Sequence, residues 1–124
     1  MWNSSRLAIL EPMHGDDDQT RAFNTAMRLL FDAWWREVHY MASGCRRLVR
    51  NREGVGAAHY LLAKPGFSPG FIRLAEAGRL ELTVEHLVLR REFGTLFTAE
   101  ERAVARRRLI EHGMRRHQLP LEPY

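Results

Sequence analysis

The stretch Gly66-Phe67-Ser68-Pro69-Gly70-Phe71-Ile72-Arg73-Leu74-Ala75-Glu76-Ala77-Gly78-Arg79 decides the fold. Pro65-Gly66 closes a helix read over Ala57 to Lys64, whose Ala58, Leu61 and Leu62 face inward. Gly66 suits a backbone angle that other residues resist, and Phe67 supplies an apolar contact for the turn. Ser68 followed by Pro69 is an N-cap with a proline at the first helical position, which starts a new helix running to Ala77. Ile72, four residues after Ser68, is expected to face the same core as Phe67. Gly78 stops the helix.

Working outward, Thr83 caps a further helix from Val84 to about Arg91, carrying Leu87 and Val88. Thr98-Ala99-Glu100-Glu101 is a capping box, so another helix runs from Ala99 to His112 and ends at Gly113. Before the deciding stretch, Cys45 to Glu53 reads as a helix with Leu48 and Val49 inward, stopped by Gly54. Earlier still, Phe23, Met27, Leu30, Trp34, Val38 and Met41 recur at steps of three and four, so a long amphipathic helix spans residues 20–44 and ends at Gly44. Phe31 and Trp35 widen its apolar arc. A wide arc fits a central core helix, or one that packs its own domain on one side and a second copy on the other. Phe31, Trp34 and Trp35 are the residues expected at such an interface. Residues 1–19 read as an arm broken by Pro12 and Gly15, with Asp16-Asp17-Asp18 placed to cap the long helix. The triad is no calcium loop, because its sixth position is Arg21 where such a loop needs glycine. Residues 114–124 contain Pro120 and Pro123 and read as an irregular tail. No segment alternates with period two. The expected fold class is all-α: a five-helix bundle over residues 45–113, containing two helices hinged by a tight turn and preceded by the long helix.

The chain has 124 residues, 45% apolar and 27% charged, which describes one globular domain and excludes a collagen-like or wholly disordered chain. No apolar run approaches the roughly 18 residues of a membrane span, and the N-terminal stretch carries too short an apolar patch for a signal peptide. A single Cys45 excludes an internal disulfide framework. Cytoplasmic residence is the expectation. Charge is unevenly placed: residues 1–44 hold four arginines against six acids, net −2, and residues 45–124 hold fifteen basic residues against nine acids, net +6. That asymmetry points to a polyanionic partner for the C-terminal two thirds.

Gly66-Phe67-Ser68-Pro69-Gly70-Phe71-Ile72, then Glu76-Ala77-Gly78-Arg79, then Thr83-Val84-Glu85-His86-Leu87, resembles the phage-repressor and Cro-type helix-turn-helix, also called the XRE family. Upstream, Leu48-Val49-Arg50-Asn51-Arg52-Glu53-Gly54 is similar to the end of that family's first helix, so the resemblance covers about residues 45–95. It implies that the helix from Ser68 to Ala77 enters the DNA major groove and that Arg79 binds a phosphate. It also implies a structural ion pair between Arg50 and Glu76. Base-reading positions at the helix start are Pro69, Gly70 and Phe71, which lack the side-chain groups for bidentate base contacts and leave Arg73 as the reader. The expected DNA-contacting set is Ser68, Arg73, Arg79, Arg46, Arg47 and Arg52, dominated by phosphate contacts.

Two functions follow. One is a small DNA-binding protein, regulatory and homodimeric, whose partner is double-stranded DNA. The other is a protein-interaction module that keeps the fold without base readout, of the kind found as a phage- or plasmid-borne inhibitor or adaptor of a nucleic-acid-handling complex. Arg106-Arg107-Arg108 cannot share one helix face, since successive residues turn by about 100°, and these arginines read as solvated. Arg115-Arg116-His117 is a basic tail segment. His112 and His117 have a spacing known from zinc sites but no accompanying Cys pair, so no metal is expected. No Walker loop, nucleophile–base order or paired-carboxylate motif is present. The expectation is therefore no catalytic residues, no enzyme activity, no cofactor and no membrane partner.

Overall fold

The structure, a computed structural model, describes residues 3–120, and side chains from Asp18 onward. Every regular element among the described residues is helical. The α-helices are α1 (Asn3–Val38), α2 (Ser43–Ala63), α3 (Pro69–Glu76), α4 (Val84–Val88) and α5 (Ala99–Glu111). Short 3-10 helices lie at Leu80–Leu82, Arg91–Leu96 and Arg116–Gln118. No described helix is long and apolar enough to cross a membrane.

The core forms because α1 lays Phe23, Met27, Phe31, Trp34 and Val38 along one buried face. Each fully buried side chain of this size contributes roughly 1.5–3 kcal/mol. Phe23 meets Phe93 and Phe97 edge-on, with ring centroids 5.0 and 5.1 Å apart, which seats the 91–96 segment against α1. α1 packs chiefly on α2, and α4 chiefly on α5. Ala57, Ala58 and Leu62 of α2, Leu87 and Val88 of α4, and Ala105 and Leu109 of α5 complete the core.

Several sequence expectations are corrected. The arm expected over residues 1–19 is helical from Asn3, because the lost Pro12 donor does not interrupt α1. Asp16, Asp17 and Asp18 thus lie inside a helix, where the backbone N–H groups are already bonded and leave nothing to cap. Met1, Trp2 and the tail residues 121–124 lie outside the described residues. At its other end α1 stops at Val38, six residues before Gly44. His39 takes the left-handed conformation (φ 56°) and its N–H donates to the Trp35 carbonyl at 3.0 Å, which closes the helix without glycine. Met41 is therefore off the helical face and 65% exposed. Gly44 sits in the first turn of α2.

The break inside α2 falls at Glu53 (φ 62°, ψ 174°), one residue before the glycine expected to make it. Gly54 is needed for a different reason. A Cβ there would lie 2.7 Å from Asn24 Oδ1 and 2.9 Å from Asn24 Cα, so glycine lets α1 and α2 touch. Asn24 accepts a hydrogen bond from the Val55 N–H at 3.1 Å, capping the second half of α2 from a neighbouring helix. α4 ends at Val88, with the 3-10 segment Arg91–Leu96 beyond it.

Candidate functional site

The turn between α2 and α3 is built as its residues require. Lys64 is extended, Gly66 has φ +78°, and the Ser68 hydroxyl accepts the Phe71 N–H at 3.1 Å with Pro69 opening the helix. Phe67 stacks on Phe71 at 5.2 Å and meets His112, the residue that follows α5, edge-on at 4.4 Å. The end of α2 would otherwise present bare carbonyls, and Arg108 of α5 satisfies two of them. Its guanidinium donates to Leu61 O at 3.2 Å and Lys64 O at 2.6 Å, and to the Glu85 carboxylate of α4 at 2.9 Å. Arg108 and Glu85 are 5% and 4% exposed, so one buried ion pair ties three helices behind the turn. Burial pushes the Glu85 carboxyl above its ordinary range, against the pull of Arg108.

α3 is rotated relative to the sequence expectation. Phe71 and Leu74 are buried and Ile72 is only half-buried. The cause is Gly70, which lies flat against the Trp34 ring: a Cβ there would be 2.8 Å from Cζ3. Phe71, expected at the base-reading start of the helix, is core. The outward residues of α3 are Pro69, Arg73 and Glu76.

Each expected contact residue has a defined place. Arg73 donates to the Val38 carbonyl at 2.8 Å, closing the end of α1. Arg79 donates to Glu37 at 2.9 Å and to Glu81 at 2.6 Å. Its hydrogen bond holds the Glu37 carboxyl below the usual range, and the bonds to Glu81 and Glu37 raise the guanidinium's own pKa. Arg46 pairs with Asp32 at 3.1 Å and lies over the Phe31 ring. The expected Arg50–Glu76 ion pair does not form; both side chains are exposed and neither has an ionic partner among the described residues. Turning α3 to bury Phe71 and Leu74 leaves Glu76 on its solvent side. Of the aromatic trio, Phe31 and Trp34 are core, with Trp34 Nε1 donating to Leu82 O at 2.6 Å, and only Trp35 is half-exposed.

Arg47 and Ser68 do come together at the turn, joined by residues that no signal in the sequence picks out, and Arg52 lies over the ring of one of them, Tyr60. A cavity of about 490 Å³ opens beside it, with Arg47 and Lys64 as its cations, Tyr40, Tyr60 and Phe67 among its walls, and no carboxylate in its lining. Arg52 and Lys64 both lie over the Tyr60 ring, 4.6 and 5.3 Å from its centroid. On the other side of the turn a hollow of about 320 Å³ is lined by Lys64, Arg107, Arg108 and Glu111. Arg47 and Lys64 on one side of the turn and Arg107 on the other have no carboxylate partner among the described residues, and neither has Arg52. The missed Arg108 carried a legible signal: with Ala105 and Leu109 it completes the i, i+3, i+4 spacing of the buried face of α5. Lys64 and Tyr60 carried none, because their cavity is shared with residues 44–51 in the first half of α2, beyond the break at Glu53. No family model, curated protein or solved structure matches the chain.

Proposed function

We propose that the protein binds double-stranded DNA through its phosphate backbone, presenting the α2–α3 pair in the manner of a helix-turn-helix but without reading bases. The observation that supports this is the partition of cations. Arg46, Arg79, Arg90 and Arg108 are each engaged by a carboxylate, whereas Arg47, Lys64 and Arg107 at the turn, and Arg52 over the Tyr60 ring, have none among the described residues. Unneutralised cations on either side of one turn attract a polyanion, and arginine suits phosphate oxygens. Base discrimination is not part of this reading, because α3 turns Phe71 inward and Arg73 is held by the end of α1.

A salt series tests it. Binding of a short fluorescent duplex, followed by anisotropy, should weaken with salt at a log–log slope of about −3 to −4 for four phosphate contacts. Arg47→Ala and Lys64→Ala should each flatten the slope by about 0.9, while Arg79→Ala leaves it unchanged. Duplexes of different sequence should bind alike. Absence of duplex binding at low salt, or a sequence preference abolished by Arg73→Ala, would refute the reading.

A second reading, a protein-interaction module, is favoured by the end of α1. Trp35 is 50% exposed and Met41 65% exposed, and exposed aromatics and methionines of this size are enriched in protein interfaces. Light scattering tests that surface: a dimer converted to monomer by Trp35→Ser supports an interface there, and a monomer at high concentration in the parent protein removes a self-interface.

A further inference from the structure

The cavity beside the turn is larger than a phosphate contact needs. At about 490 Å³ it falls within the range of small-molecule sites. Its lining divides into two kinds. Tyr40, Tyr60 and Phe67 give it aromatic surface, and Arg47 and Lys64 give it two cations with no acid beside them among the described residues. The start of α3 adds donors. The Ser68 hydroxyl accepts from Phe71 and has its own proton available, and the Gly70 N–H has no acceptor among the described residues. Cys45 also lines the cavity, and burial pushes its thiol up, so it stays protonated and adds no opposing charge. Lys64 lies over the Tyr60 ring, so aromatic surface and cations adjoin in one cavity, which matches one ligand chemistry: a flat apolar body carrying a single carboxylate or phosphate.

We propose that this cavity binds a small aromatic organic anion, its ring against Tyr40 and Phe67 and its charged group on Arg47 and Lys64, the latter seated over Tyr60. The site itself does not depend on DNA binding. One consequence does rest on that reading: ligand and duplex share Arg47 and Lys64, so the ligand displaces DNA and the protein is a ligand-controlled binder.

Direct binding to the whole chain, without DNA, is the primary test, with 1-naphthyl phosphate as probe and ligand-observed NMR or calorimetry as readout. A rigid probe of this size should bind with Kd on the order of 1 mM or below. Inorganic phosphate, lacking the ring, and 2-naphthol, lacking the charge, should each bind about tenfold more weakly or worse. Arg47→Ala and Lys64→Ala, both at solvent-facing positions, should each weaken the probe by about tenfold. Gly44→Leu places a side chain at the rim, where a Cβ meets nothing within 4 Å, and should block the probe while the fold stands. A probe that does not bind, that binds all three variants as well as the parent, or that is matched by inorganic phosphate alone overturns the site. A displacement arm then uses the fluorescent duplex. Release of bound duplex at probe concentrations that saturate the direct measurement supports the shared site, and saturation with the duplex still bound overturns the sharing. If the duplex never binds, it is the DNA reading that fails, and the direct measurement still decides the cavity.

Discussion

Replacing Arg108 with methionine should be the most destabilising single change behind the turn. The guanidinium makes three hydrogen bonds, to Glu85 Oε2, Leu61 O and Lys64 O, and both ionic partners are almost wholly buried. Its removal leaves a carboxylate without a counter-charge in the core and two carbonyls at the end of α2 without donors. Breaking a buried pair from one side costs about 3–5 kcal/mol. A chain of 124 residues has a total stability of roughly 6–19 kcal/mol at about 0.05–0.15 kcal/mol per residue, so the variant should stay folded with a much lower urea midpoint. Arg108 Nε has no hydrogen-bond partner, so the intact pair is not fully satisfied and replacing both partners should be far cheaper than replacing one. Arg108→Met with Glu85→Leu should recover at least about 2 kcal/mol of the single-variant loss. Acidity supplies a second check. Burial raises the Glu85 pKa in the folded state, and loss of Arg108 removes the opposing pull. The folded variant then holds its proton more tightly than the unfolded chain does. Its penalty should shrink as pH falls toward the ordinary glutamate pKa of about 4.3 and grow as pH rises. Urea titration by circular dichroism at two pH values measures all of this. A single-variant loss under about 1 kcal/mol, or a double variant equal to the sum of its singles, would refute the clamp.

Three further outcomes are expected. Glu53 occupies a region of φ/ψ space proper to glycine, so Glu53→Gly should raise stability by about 1 kcal/mol, whereas Gly54→Ala next to it should lower stability by roughly 1–3 kcal/mol through contact with Asn24; paired thermal melts compare them. Ser68→Ala should cost on the order of 1 kcal/mol by removing the cap on α3, read from the same melts. Burial lowers the His86 pKa, with Glu81 and Arg90 acting in opposite senses, so the folded state binds its proton less well than the unfolded chain. Stability should therefore decline as pH drops below about 6.5, and melts of His86→Gln across that window should lack this part of the decline.

Much of the fold was legible because its signals are local. Ser68, Thr83 and Thr98 each accept a backbone N–H three residues ahead in the same short segment, so Ser or Thr followed by a helical pattern places those three helix starts. The face of α1 was legible too, since Phe23, Met27, Trp34 and Val38 lie one above another on any helix of that sequence. Helix ends were less so. His39 and Glu53 turn the chain where the sequence offers glycine one or a few residues later, because packing of α1 on α2 selects the position and overrides local preference.

The candidate site belonged almost entirely to tertiary structure. One of Arg79's two acids, Glu81, lies only two residues on and is a local signal; the other is not. Glu37, forty-two residues before Arg79, adds a second acid to it, and no carboxylate among the described residues reaches Arg47. The rotation of α3 likewise depends on Trp34 lying against Gly70, a contact between residues thirty-six apart that puts Phe71 inside and takes away the base-reading edge. Capping and periodicity act over a few residues and can be read along the chain. Charge neutralisation and steric fit act through space, and which groups they join is known only once the helices are packed.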